Sequence, residues 1–88
     1  MDKRKEKIKY RSWHRGTREA DLFLGKFIDK YINDLNEILL TNFEDFINNY
    51  SDPEIISFVY GNQPWPEEVR EELKYLFECF IKSQKRNN

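Results

Sequence analysis

The residues best suited to chemistry are Arg15, Gly16 and Glu19, in the stretch of this 88-residue chain that also holds its single histidine. An arginine guanidinium can form paired hydrogen bonds to a carboxylate, a phosphate or backbone carbonyls. Gly16 permits a tight turn, and Glu19 supplies a carboxylate just beyond that turn. Two interpretations stay open on this chemistry. Either the residues form a polar surface for a partner, or Arg15 and Glu19 form an internal ion pair that joins two helices.

The remaining reactive side chains do not indicate catalysis or metal binding. His14 could act as a general base, but no serine or cysteine nucleophile with an orienting acid accompanies it at a recognisable spacing. A structural zinc site needs four cysteine or histidine ligands, and the chain offers only His14 and Cys79. The three glycines are scattered, unlike those of a phosphate-binding loop. We therefore expect neither an enzyme nor a metal site.

The charges are distributed unevenly although the net charge is only -1. Residues 1–18 hold eight Lys and Arg against two acids, whereas residues 19–78 hold four against fourteen. A basic arm of this kind is one signature of nucleic-acid binding. The acidic body would repel a duplex, however, and no basic recognition helix is evident. A small basic-armed module that binds nucleic acid, or proteins in general, is kept as the second interpretation.

The apolar residues recur at the three-and-four spacing of amphipathic helices, and no long segment alternates with the period of a strand. The sequence predicts an all-α, small five-helix bundle that forms a single domain over residues 1–88, with frayed ends at 1–7 and 83–88. No run approaches the roughly 20 apolar residues that a membrane span needs. We therefore expect no membrane insertion.

Capping residues and breakers predict where the helices begin and end. The first helix should end at Arg15, with Gly16 as the left-handed residue that follows it. Gly25, inside the second helix, costs about 1 kcal/mol relative to alanine, so we expect another helix to approach closely there. The predicted helix starts are, in chain order, Thr17, Asn36 (with Thr41 and Glu44 as a competing capping box), Ser51 and Pro66.

The turn also carries a family resemblance. It resembles the succinate dehydrogenase assembly factor 2 family, also called FAD assembly factors, whose marker is an RGxxE motif inside a longer pattern. The matching residues here are Tyr10, Arg11, Ser12, Arg15, Gly16, Glu19, Asp21, Leu22, Leu24, Gly25 and Phe27. A looser match continues through Asp52-Pro53-Glu54-Ile55, Gly61, Pro64 and Pro66. Glu54 stands where the family usually has an aspartate, and Phe58 stands where it usually has a tryptophan. The resemblance also implies a five-helix fold, in agreement with the periodicity.

The resemblance implies an assembly chaperone and not an enzyme. Such a protein binds the flavoprotein subunit of succinate dehydrogenase, with fumarate reductase as a further candidate client, and promotes covalent attachment of FAD to it. FAD then belongs to the client, and we expect this chain to hold no cofactor stably and to bind neither nucleic acid nor metal. The residues implied in partner binding are Arg11, His14, Arg15, Gly16, Glu19 and Asp21.

The expected location is the bacterial cytoplasm. The RGxxE domain starts almost at Met1, whereas mitochondrial members of the family carry a targeting extension before it. A single cysteine also fits a reducing compartment, since it cannot form an intrachain disulfide.

Overall fold

Five α-helices joined by short connections make up the fold in the computed structural model, which describes residues 3–86. A single 3₁₀ turn, Ile32–Asp34, links the second helix to the third. The helices are α1 Lys3–Trp13, α2 Arg18–Tyr31, α3 Glu37–Asn49, α4 Asp52–Val59 and α5 Glu71–Arg86. Within the described residues there is no strand, so the all-α, five-helix prediction is confirmed.

The predicted frayed ends fall only partly within this range. Residues 3–7 belong to α1 and residues 83–86 to α5, whereas residues 1, 2, 87 and 88 lie outside the described residues. The single-domain boundaries stay a prediction.

Three of the predicted helix starts are confirmed by side-chain caps. The Thr17 hydroxyl accepts a hydrogen bond from the backbone of Ala20 at 3.3 Å, and the Asn36 side chain accepts one from Leu39 at 2.9 Å. Ser51 forms a reciprocal capping box with Glu54. Because each cap satisfies a backbone N–H that the first turn leaves unpaired, local sequence was enough to identify these starts. The competing start at Thr41 is wrong, because α3 is already helical there.

Two predicted helix boundaries are wrong. The larger error, at the start of the last helix, is explained by contacts between residues that are distant in sequence. The first helix ends at Trp13 and not at Arg15, whose backbone N–H donates instead to the Asp21 carboxylate. The last helix begins at Glu71 and not at Pro66. The Asn42 side chain on α3 accepts from the backbone N–H of Arg70 and donates to the carbonyl of Glu68, both at 2.8 Å. These two hydrogen bonds hold residues 67–70 in a turn, although the residue types of this segment would suit a helix.

Stacked aromatic rings form the centre of the core. Phe27 of α2 lies 4.1 Å from Phe77 of α5 between ring centroids and 5.7 Å from Phe43 of α3, and all three side chains are fully buried. Trp65, in the loop before α5, packs 5.7 Å from both Phe46 and Phe77. These rings join three helices and the loop in one stack. Because aromatic side chains bury large areas, this packing holds the elements together without a disulfide.

The close approach predicted at Gly25 is made by Trp13, the last residue of α1. A Cβ built on Gly25 would lie 2.2 Å from the indole ring, so only glycine lets the ring lie flat on α2. The indole N–H donates to Asp29 at 3.2 Å, one turn further along α2. These contacts fix α1 against α2 and so determine where the chain enters the turn at Gly16.

Replacing Gly25 with alanine should destabilise the fold despite alanine's better helix propensity. The overpacked ring should cost about 1–3 kcal/mol, against about 1 kcal/mol gained in helix propensity. Urea unfolding of Gly25→Ala should therefore show a lower midpoint. In a Trp13→Ala background the same change should be neutral or stabilising, and an equal loss in both backgrounds would contradict the assigned contact.

A second contact holds the loop before α5 against α3. The Tyr50 hydroxyl donates to the Glu68 carboxylate. This hydrogen bond lowers the pKa of Glu68 and raises the pKa of Tyr50 from their ordinary values. Both shifts favour the pair in which the phenol is protonated and the carboxylate ionised.

The stabilisation by this pair should therefore depend on pH. A lowered carboxyl pKa contributes stability above its unfolded value and loses it as the pH falls through the folded value. A raised phenol pKa contributes below its unfolded value, near 10, and loses it as the pH rises further. Thermal unfolding of wild type and Tyr50→Phe should differ most between about pH 5 and 9 and converge at lower and higher pH. A difference that stays constant from pH 3 to 11 would contradict the pairing.

Candidate partner-binding site

The site predicted from the sequence lies on the turn between α1 and α2. Gly16 has a φ of +112°, a conformation that L side chains rarely adopt, and nothing lies within 4 Å of a Cβ built there. The glycine is therefore required by the backbone and not by crowding. Asp21 accepts from the backbone N–H of Arg15 across the turn, while Thr17 caps α2. Together these two side chains fix the path of residues 15–17.

The Arg15 side chain points into the fold and connects two other helices. Its Nε donates to the Asp52 carboxylate at 2.8 Å, at the start of α4. Its two terminal nitrogens donate to the carbonyls of Ile47 and Tyr50 at 2.6 and 3.3 Å, at the end of α3. The guanidinium thus caps the C-terminal end of α3, because it donates to carbonyls that have no hydrogen-bond partner within the helix. We call this set of contacts the Arg15 clamp.

The clamp bears on the choice left open by the sequence. Arg15 does form an internal ion pair, but its partner is Asp52 and not Glu19. The two side chains are only 13% and 15% exposed, which leaves the guanidinium little surface to offer. By sequence alone, Asp52 falls only in the looser part of the family match and not in the predicted site. The pair is separated by 37 positions, and no local pattern reports a contact over that distance.

Glu19, by contrast, is exposed and available. It lies in the first turn of α2, where the helix dipole favours a negative charge, and it forms no hydrogen bond or ion pair with any residue in the described range 3–86. Glu19 also lines a surface groove of about 360 Å³ shared with Thr17 and with Asp52 and Ile56 of α4. Glu19 therefore borders a concave surface beside the turn.

His14 and Arg11 are the remaining exposed members of the predicted set. The His14 ring stacks on Tyr10 with centroids 4.0 Å apart, and its Nδ1 lies 2.8 Å from the Tyr10 carbonyl. A carbonyl can only accept, so His14 Nδ1 carries a hydrogen and donates it to the Tyr10 carbonyl. Arg11 donates to the Asn48 side chain at 3.2 Å. The structure thus divides the six residues into an inward pair, Arg15 and Asp21, and an outward group.

Two further properties of the described residues bear on function. Within residues 3–86, no three His, Cys, Asp or Glu side chains are grouped so that they could hold a metal ion. No helix in the same range has both the length and the apolar character that crossing a membrane requires.

Comparison with known proteins gives one family. Residues 6–81 match the sequence profile of the family described as flavinator of succinate dehydrogenase. The chain belongs to this family. The match covers most of the chain, including the turn, the Arg15 clamp, the whole of α2, α3 and α4 and most of α1 and α5. The predicted resemblance to the succinate dehydrogenase assembly factor 2 family is confirmed.

Curated relatives of the chain carry consistent names. The FAD assembly factor SdhE of Acetobacter pasteurianus is 34% identical over 65 residues, which is 74% of this chain and 59% of that protein. The mitochondrial succinate dehydrogenase assembly factors 2-B of Drosophila mojavensis and Drosophila ananassae are each 31% identical over 87 residues. Those alignments cover 98% of this chain but only 55% and 53% of the relatives. The chain therefore spans a little over half the length of these relatives, and no solved structure matches it.

Removing the inward and outward members of the predicted site should affect stability very differently. Arg15→Ala leaves Asp52 and two backbone carbonyls unpaired in a largely buried setting, which should cost about 2 kcal/mol of unfolding free energy. Glu19→Gln changes an exposed side chain and should stay within about 0.5 kcal/mol of wild type. Urea unfolding measures both. Equal stabilities of Arg15→Ala and wild type would contradict the clamp.

Proposed function

We propose that this protein is an assembly chaperone that binds the flavoprotein subunit of succinate dehydrogenase and promotes covalent attachment of FAD to it. Membership of the flavinator family and the names of the relatives support this function. The observation that carries it in this chain is the exposed Glu19 carboxylate, which has no partner among residues 3–86 and lies beside a backbone turn that the rest of the fold holds in place. Fumarate reductase is a further candidate client.

In this proposal the outward group meets the client. Glu19 accepts hydrogen bonds from client donors, and His14 and Arg11 flank it. Gly16 has no side chain and allows the client backbone to approach the turn closely. Arg15 and Asp21 act as positioning residues, because their polar groups are already used within the fold. The six predicted residues therefore form one partner-binding site in two layers.

The chaperone would act through position and not through chemistry of its own. The client provides the amino acid that bonds to the flavin, and FAD stays with the client. Holding the two reacting groups in an aligned conformation lowers the entropic part of the barrier. This chain then needs no nucleophile, no metal and no resident cofactor, and we propose that it is not itself an enzyme. The cytoplasmic location expected from the sequence remains a proposal.

The contacts of α1 weaken the alternative of a nucleic-acid-binding arm. Arg4 donates to Glu37 at 2.6 Å and to Thr41 at 2.6 Å on α3, and Lys9 lies 3.7 Å from Asp29 on α2. Two of the charges that suggested a nucleic-acid partner therefore pair with acids of the body. We propose the flavoprotein client in preference to nucleic acid.

The function can be tested by reconstituting flavinylation. The apo flavoprotein subunit, FAD and this protein are mixed, and covalent flavin is read by fluorescence after denaturing electrophoresis. Wild type should accelerate attachment, and Glu19→Gln should slow the initial rate about tenfold, since one charge-assisted hydrogen bond contributes roughly 1.5 kcal/mol.

Glu72→Gln is the matched control for this experiment. Glu72 is also an exposed glutamate in the first turn of a helix, α5, but it lies away from the predicted motif. This variant should retain the wild-type rate. No acceleration by the wild-type protein, or equal losses in both variants, would overturn the proposed role of Glu19.

A further inference from the structure

An apolar groove adjoins the motif turn and is not used by the contacts described above. It has a volume of about 420 Å³ and lies between α2, α4 and the end of α5. Its apolar residues are Leu22, Phe23, Ile56, Tyr60 and Phe80. The Phe23 ring lies 5.3 Å from Phe80 and 5.9 Å from Tyr60 between centroids, so neighbouring rings already support the floor. We call this feature the α2–α4–α5 groove.

The rim of the groove exposes large apolar groups. Leu22 is 38% exposed and Tyr60 is 54% exposed. Exposed apolar side chains that sit singly on a surface are ordinary. Here two of them border one preformed concavity, which is the usual form of a recognition site.

Opposite charges mark the two ends of the groove along α2. Glu19 and Lys26 both line it and lie seven residues apart, which corresponds to about two helical turns or 10 Å along the axis. Both are exposed, and neither forms a hydrogen bond or ion pair with another residue of the described part of the chain. An occupant of matching charge would therefore meet an acid at one end and a base at the other.

We infer that the α2–α4–α5 groove binds a segment of the flavoprotein client that carries a bulky apolar side chain between a basic and an acidic residue. The basic residue would pair with Glu19 and the acidic residue with Lys26, about 10 Å away. This inference rests on the proposed function and extends the same interface. Glu19 belongs both to this groove and to the smaller groove beside the turn, so the surface is continuous.

The size of the groove favours a client segment over a second copy of this chain. Eight residues line it, whereas a stable interface uses about 20–30 residues on each side. The groove alone is too small to hold a dimer together. It suits one part of a larger interface that continues over the Gly16 turn, where a single buried apolar anchor can contribute much of the binding energy.

The first test measures affinity for the apo flavoprotein subunit of succinate dehydrogenase. The double variant Leu22→Gln/Tyr60→Ser should bind at least about tenfold more weakly than wild type. Its matched control is Ile38→Gln/Tyr75→Ser, which removes an exposed aliphatic and an exposed tyrosine of similar exposure elsewhere on the surface. The control should change the Kd less than twofold. Equal affinities of the groove variant and wild type would overturn the groove while leaving the proposed function standing.

A photo-crosslinking test identifies the occupant directly. Benzoylphenylalanine replaces Tyr60, Tyr75 or His14, and the crosslinked peptides are mapped by mass spectrometry. Crosslinks to the client from positions 60 and 14, but not from 75, support the inference. Crosslinks from position 14 alone overturn the groove but keep the function, and failure of wild type to bind the client at all overturns both.

A second copy of this chain is the remaining alternative occupant of the groove. An antiparallel second copy could also pair Glu19 with Lys26, so we compare Glu19→Lys with Glu19→Lys/Lys26→Glu by analytical ultracentrifugation and by client binding. If the client is the occupant, the double swap should bind it no better than the single variant. A wild-type dimer that the single variant breaks and the double swap restores would overturn the inference.

Discussion

The structure depends most on the Arg15 clamp. One guanidinium joins the turn after α1 to the last carbonyls of α3 and to the first carboxylate of α4. The two carbonyls come from the end of α3, where helical hydrogen bonding leaves backbone carbonyls without a partner. The planar fork of arginine matches this task because its donors diverge in fixed directions, whereas a lysine ammonium offers a single point of charge. Three helix ends are thereby held at one position.

The same principle explains the uneven charge distribution. Two basic residues of α1, Arg4 and Lys9, form ion pairs with acids of α3 and α2, so part of the asymmetry along the sequence is neutralised across the fold. Exposed ion pairs of this kind contribute little to stability individually. The apolar contact of Trp13 with Gly25 supplies the firmer attachment of α1. Packing therefore holds α1 in place more firmly than the ion pairs do.

Sequence was informative where the deciding interaction is local. The starts of α2, α3 and α4 depend on a cap three residues from its partner, and the residue types of Thr17, Asn36 and Ser51 are enough to identify them. The start of α5 depends on Asn42, which lies 28 positions before Arg70. The inward direction of Arg15 likewise depends on Asp52. Periodicity and capping carry no information on such distant partners, and only the folded chain brings them together.

The division between inward and outward residues also affects how the motif is interpreted. A short pattern such as RGxxE places residues of two kinds side by side: Arg15 acts on the fold, and Glu19 faces solvent. Loss of function on removing Arg15 would therefore report the loss of a correctly shaped turn as readily as the loss of a client contact. Glu19 is the more informative residue because its carboxylate can be neutralised without disturbing any bond in the described fold. Client recognition by this surface is therefore tested at Glu19 and at the groove beside it. The Arg15 clamp holds both of them in place.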